Sequence, residues 1–211
     1  MPKPDFFRPL GLFVLPEFLD CTSGTTLIDQ ILSFPAEKGM VVKPSGEETV
    51  AEDVRKVESS IIPKEIRFPL QQRLMGLIPD LEKHFSVTLD GCEPPQFLIY
   101  NPGGFFVPHA DASRENESRR RQDSVVIFLN RESEEPVDGC YGGGKLTFHG
   151  LLTEPEWANC AFGIDSQVGL LVAFRPSLVH EVTPVTFGQR LTIVSWFLST
   201  FVGRPLRRAL R

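Results

Sequence analysis

Apolar and polar positions follow two different periods along the 211-residue chain, and the change falls near residue 95. Before it, Leu27, Ile28, Ile31 and Leu32 recur at helical spacing, with Thr22 and Ser23 as candidate N-caps and Pro35 as the stop. Leu70, Leu74, Leu77, Leu81 and Phe85 predict a second helical stretch. Pro69 suits its first turn, and Pro79 is expected to kink it or split it in two. Phe6 to Leu15 reads as a strand broken by Pro9 and ended by Pro16, and Met40 to Val42 as a short strand in the otherwise charged stretch 36–62.

After Pro95 the pattern shortens to runs of strand length: 96–101, 105–111, 124–130, 145–148, 169–174, 179–185 and 190–199. Turn signals separate them, notably Asn101-Pro102-Gly103-Gly104 and Gly142-Gly143-Gly144. Helices followed by many short strands predict an α+β, mainly β domain with a double-sheet or barrel-like core. Segments 112–123 and 150–168 are the long connections, where substrate contacts commonly lie.

Composition narrows this picture. With 17 Gly and 18 Pro the chain is no helix bundle, and 41% hydrophobic residues exclude disorder. The longest nearly apolar run, Leu191 to Val202, is too short to span a bilayer, and the proline-bearing start is unlike a signal peptide. An intracellular, cytoplasmic location and four free thiols (Cys21, Cys92, Cys140, Cys160) are therefore expected. The net charge of −5 argues against general nucleic-acid binding. Basic clusters at Arg119 to Arg121 and in the tail Arg204 to Arg211 fit solvated segments as well as a partner. No pattern sets an oligomeric state.

Only four histidines occur, at 84, 109, 149 and 180. In a strand, residues i and i+2 share a face, so His109 and Asp111 would converge, and His180 could supply a third ligand. Two imidazoles and one carboxylate leave three octahedral positions open, as in non-haem Fe(II) oxygenases, although zinc accepts the same ligands. Arg190 and Thr192 form a second i, i+2 pair, a guanidinium beside a hydroxyl, suited to a carboxylate. His84 reads as a surface helix residue, and His149 as pocket edge or surface.

The order Tyr100, Gly103-Gly104, His109-x-Asp111, Gly143-Gly144-x-Leu146-x-Phe148, His180-Glu181-Val182-x-Pro184 and Arg190-x-Thr192 resembles the prolyl 4-hydroxylase-like branch of the 2-oxoglutarate and Fe(II)-dependent dioxygenases. The resemblance covers residues 96–199. It implies a double-stranded β-helix, a jelly-roll-like core backed by N-terminal helices. It makes His109, Asp111 and His180 the iron ligands, and Arg190 the holder of the distal carboxylate of 2-oxoglutarate, helped by Thr192 and Tyr100. Phe128 stands where some relatives carry a further polar cosubstrate contact, and Arg121 near where relatives place a basic residue by the substrate. The reaction implied is hydroxylation of an unactivated C–H bond, with O2 and 2-oxoglutarate consumed and succinate formed.

On this reading residues 1–211 are one catalytic domain: a strand and support helices over 1–95, the β core over 96–199 and a basic tail over 200–211. The substrate is a prolyl-type peptide residue or a small amino-acid-like molecule. A β-barrel binding module that keeps the fold without catalysis is the alternative. A zinc hydrolase built on the same triad would lack a general base and leave Arg190 and Thr192 without a role.

Overall fold

Residue parity along the longest strand, Arg190–Leu198, sets the architecture. Arg190, Thr192, Val194 and Trp196 line an internal cavity, while Leu191, Ile193 and Phe197 point the other way into a cluster shared with the helices. A nine-residue strand buried on both faces needs cover on both, and two layers provide it.

The computed structural model describes residues 4–42, 48–112, 120–152 and 160–200. Its larger sheet is antiparallel, in the order Leu12–Leu15, Leu171–Phe174, Arg121–Phe128, Arg190–Leu198, Gln96–Tyr100, Glu58–Ser60, Ala36–Lys38. Gly91–Cys92 pairs with the far end of Arg190–Leu198. The smaller sheet runs Ala161–Ile164, Leu146–His149, His180–Val182, Phe105–His109, Arg55–Lys56. Phe7, Leu12, Val126 and Phe128 meet Leu146, Phe148 and Ile164 between the sheets and close one end of the sandwich. This is the predicted mainly β core with helices behind it.

The helices Cys21–Ser33, Lys64–Met75 and Ile78–Phe85 pack on the outer face of the larger sheet through Ile31, Leu70, Leu74 and Leu81. Each such fully buried aliphatic side chain contributes roughly 1.5–3 kcal/mol. The first helix is capped by Asp20, whose carboxylate accepts from the Ser23 amide at 2.8 Å and the Ser23 hydroxyl at 2.7 Å, and not by the predicted Thr22 or Ser23. The second predicted helix is split as expected, with Pro79 in the opening turn of its second half. Pro69 lies inside the first half, because the helix already starts at Lys64.

Other boundaries differ from expectation. Pro4–Phe7 and Arg8–Leu10 are helical, because Pro9 suits a first turn and Gly11 ends it left-handed; only Leu12–Leu15 is strand. The stretch 36–62 supplies strands to both sheets, so the β core draws on chain before residue 95. Ala161–Ile164 lies within the expected loop 150–168, and Arg121 to Asp123 belong to a strand rather than to loop 112–123. All four cysteines are free. Among the described residues no helix is long and apolar enough to cross a membrane. The basic tail and Arg119 lie outside the described residues.

One backbone crossing ties helix layer to sheet. The Gly169 amide donates to the Phe128 carbonyl at 2.8 Å, and the Leu19 amide donates to the Gly169 carbonyl at 3.3 Å. Gly169 has φ +76°, and a Cβ there would fall 1.8 Å from the Leu19 carbonyl oxygen. Gly169→Ala is therefore expected to destabilise the fold by roughly 3 kcal/mol, read as a drop in urea midpoint.

Asp123 is fully buried in strand Arg121–Phe128, with only the Arg175 guanidinium at 3.3 Å from Oδ1 and no partner on Oδ2 among the described residues. Burial pushes its carboxyl up to about 7, against the opposing pull of Arg175. The folded state then holds a proton that the unfolded chain has released, so stability falls as pH rises from about 4 to about 7. Asp123→Asn is expected to melt higher than wild type above pH 7, with the gap closing towards pH 4, in thermal melts across that window.

Candidate metal and cosubstrate site

Strand pairing builds the centre of the site. His109 and His180 are direct cross-strand partners in the smaller sheet, so both rings project from the same face, with centroids 4.3 Å apart. Each ring is oriented by its own strand: Nδ1–H of His109 donates to the Val107 carbonyl at 2.8 Å, and Nδ1–H of His180 to the Leu178 carbonyl at 2.9 Å. Both Nε2 atoms are thereby left as lone-pair donors, the tautomer a metal requires. Phe106 stacks on His109 at 3.5 Å, and Phe174 meets His180 edge-on at 4.6 Å.

Asp111 completes the cluster, its Oδ1 lying 3.7 Å from His109 Nε2 and its Oδ2 3.7 Å from His180 Nε2. All three donors fall within 4.8 Å of one another. Asp111 does not share the strand, as its spacing predicts; the strand ends at His109, and a bend swings the carboxylate to the imidazoles. The bend is held by the Ala112 amide on the Pro176 carbonyl at 3.0 Å and by Arg121 Nη1 on the Asp111 carbonyl at 3.4 Å.

Electrostatics matches the donor set. Burial, with the charge of His180 second, pushes His109 down to about 4, so the ring is neutral at physiological pH. Burial opposes ionisation of Asp111, but His180 and His109 outweigh it, with Ser124 and Trp196 helping, and its carboxyl is held below the usual range. The buried Ser124 hydroxyl and Trp196 indole N–H have no other partner within hydrogen-bond geometry. Two imidazoles and a carboxylate on one side of a cavity fit a divalent metal with open positions.

That cavity, about 1100 Å³, reaches from the cluster to Arg190, Thr192 and Tyr100. Arg190 is 1% exposed and has no carboxylate within 4.0 Å among the described residues. Its Nη1 donates to Thr192 Oγ1 at 3.2 Å, and its guanidinium carbon lies 5.0 Å from the Tyr100 ring centre and 5.3 Å from that of Phe128. Nε and Nη2 are shut from solvent without an acceptor. Stranding charged donors in this way is costly unless an anion completes them, and a dicarboxylate reaching back towards the metal cluster fits that need.

Several residues that hold this arrangement carry no spacing signal. Asn130 clamps the chain on both sides of Arg190, donating to the Gln189 carbonyl at 2.7 Å and accepting from the Leu191 amide at 3.0 Å. Buried Tyr141 lies against Arg190 and Ser166, whose influence opposes the upward push of burial on its hydroxyl. Gly144, at φ +57°, lets the backbone pass so close that a Cβ would sit 2.9 Å from Arg190 Cδ. Gly142-Gly143-Gly144 thus reads as a packing constraint as much as a turn.

Arg121 lines the cavity but is not a free loop arginine. Glu93 takes it in a fork, Nε to Oε1 at 2.7 Å and Nη2 to Oε2 at 2.9 Å, and its guanidinium lies 3.7 Å over the Trp196 ring. The spare histidines stand apart: His84 packs on Phe13 and Phe85, and His149 pairs with Glu181 at 3.0 Å. Val125, Ile127 and Leu171 pack outward against the helices, so on the inner side the apolar wall is made by Val126, Leu146 and Val182.

Residues 95–198, about half of the chain, match the family model described as the 2OG-Fe(II) oxygenase superfamily. A PKHD-type hydroxylase of Teredinibacter turnerae is 33% identical over 121 residues, which cover 56% of this chain and 47% of that protein. A PKHD-type hydroxylase of Shewanella frigidimarina is 31% identical over 150 residues, covering 67% and 59%. The chain spans about half the length of the curated relatives it matches. Among solved structures, a Pseudomonas putida prolyl-4-hydroxylase superposes with a TM-score of 0.67 at 23% identity, covering 92% of this chain and 95% of that one. A Trichoplax adhaerens prolyl hydroxylase, solved with a hypoxia inducible factor oxygen degradation domain peptide fragment, superposes at 0.70 with 20% identity, covering 92% and 86%. The structural likenesses show the double-stranded β-helix fold, and the match over residues 95–198 places the chain in the 2OG-Fe(II) oxygenase superfamily, whose cofactors are Fe(II), 2-oxoglutarate and O2.

Proposed function

We propose that this protein hydroxylates an unactivated C–H bond of a prolyl-type peptide residue or a small amino-acid-like molecule. In this reading His109, Asp111 and His180 hold Fe(II), while Arg190 and Thr192, beside Tyr100, hold the distal carboxylate of 2-oxoglutarate. The observation that carries it is Arg190: a buried guanidinium with unpaired donors, aimed into the cavity that also contains a cluster of metal-ligand type. A zinc hydrolase gives that guanidinium no task, and a binding module that only keeps the fold is separated from the hydroxylase by its lack of iron affinity and of succinate release.

When bound, iron and 2-oxoglutarate would supply, with O2, the chemistry that turns C–H into C–OH, one oxygen atom of O2 entering the product and the other the succinate released with carbon dioxide. The chain's own residues do the rest. His109 and His180 offer fixed Nε2 donors, Asp111 offers the carboxylate, and the bound groups are held on one side of the cavity. Arg190 fixes the far end of the cosubstrate by charge-assisted bonds. Val126, Leu146 and Val182 keep water from the reacting bond.

Anaerobic addition of Fe(II) and 2-oxoglutarate is expected to raise a visible charge-transfer band in the wild-type protein and none in His109→Ala; a colourless wild type would sink the assignment. Arg190→Gln is expected to raise KM for 2-oxoglutarate by about 10–100-fold, the worth of a lost charge-assisted hydrogen bond, measured as succinate release. An unchanged KM would remove Arg190 from the cosubstrate site.

A further inference from the structure

The chain carries a net charge of −5, yet cations dominate its cavity wall. Lys38 is paired with Glu52 at 2.7 Å, and Arg121 is taken by Glu93. Arg55, Arg67 and Arg120 line the same cavity with no carboxylate within 4.0 Å among the described residues. Of the acids on the wall, Glu93 is occupied by Arg121 and Asp111 belongs to the metal cluster, which leaves Glu37.

Arg55 has the most defined geometry of the three. Its strand, Arg55–Lys56, pairs with Phe105–His109 and sets Arg55 opposite Phe106. The guanidinium carbon lies 4.9 Å from the Phe106 ring centre, and that ring stacks on His109. Nη1 donates to the Met40 carbonyl at 2.9 Å, which fixes the fork, while Nε is closed from solvent with no acceptor. Gly39 lets bare backbone pass alongside, since a Cβ there would lie 2.4 Å from Val57 Cγ1 and 3.5 Å from Arg55 Nε. The nearby carboxylates are otherwise engaged, Glu52 by Lys38 and Glu58 by the Asn101 amide at 3.1 Å. A solvated rim arginine would be exposed and mobile; this one is preorganised one ring away from a proposed iron ligand.

We infer that the substrate carries a carboxylate, which Arg55 binds beside Phe106 and His109 while Arg67 and Arg120 reinforce the positive field of the cavity. The inference rests on the hydroxylase reading and deepens it. The carboxylate has two sources, an acidic residue of a peptide or the free acid of a small amino-acid-like molecule.

Isothermal titration with 2-oxoglutarate present, so that Arg190 is engaged, compares short proline-centred peptides, capped at both ends and flanked by glutamate, glutamine or lysine, and N-acetylproline with N-acetylprolinamide. At least one acid is expected to bind about tenfold tighter than its amide, the lysine peptide weakest, with the preference shrinking as salt rises. The pair that discriminates identifies the source. Arg55→Gln is expected to lose most of the preference and Arg55→Lys to keep part of it, both judged folded by circular dichroism. Equal binding of acid and amide in the wild type, no binding by any acid, or full preference in a folded Arg55→Gln overturns the inference. Succinate release by the wild type without added substrate separates the two readings. It persists if only the charge assignment is wrong, and it is missing if the hydroxylase reading is wrong.

Discussion

The register between Phe105–His109 and His180–Val182 is the constraint on which the site depends. Because side chains alternate along a strand, a slip of one residue would send one imidazole to the far face and dissolve the metal cluster. The pairing is pinned from both sides: Arg55–Lys56 continues the sheet beyond Phe105–His109, and Leu146–His149 continues it beyond His180–Val182. Phe106, Phe148 and Phe174 then fill the space around the two rings. The phenylalanine-rich composition has a local purpose here, as the packing that holds the two imidazoles in place.

Arg190 imposes the opposite kind of demand. A guanidinium withdrawn from water costs several kcal/mol unless paired, and the fold offsets this only in part, with Thr192 and the faces of Tyr100 and Phe128. Asn130, Tyr141 and Gly144 are spent on holding that charge in place rather than on neutralising it. The structure therefore stores a binding preference for an anion at one end of the cavity and for a cation at the other. A dicarboxylate chelating a metal answers both at once.

His109, Asp111, His180, Arg190 and Thr192 were legible in the sequence because few residue types do this chemistry; strand parity holds for Arg190 and Thr192, whereas Asp111 reaches the imidazoles by a bend and not by parity. The strands after residue 95 were legible for the same reason of period. Parity ran out where a strand is buried on both faces: nothing local tells Val125 from Val126, although one faces the helices and the other the cavity. Arg121 was unreadable as a held residue because its partner Glu93 lies 28 positions away. The strands at 36–38 and 55–60 were hidden by their polar residues: 36–38 and 55–56 lie at sheet edges, which need little apolar surface, and 58–60 consists of Glu58, Ser59 and Ser60. Asp20 replaced the predicted caps because the helix already begins at Cys21, and the carboxylate just before it reaches the Ser23 amide.

The way Asp111 is held has a mechanical meaning. The two imidazoles are bolted to a hydrogen-bonded ladder, whereas the carboxylate hangs from a bend supported by one backbone contact to Pro176 and one arginine contact. The centre thus has two donors fixed by the ladder and a third placed by tertiary contacts, Ser124 and Trp196 at its carboxylate among them. A metal held there would lose its third ligand first if those contacts loosened, while the two imidazoles stayed in register.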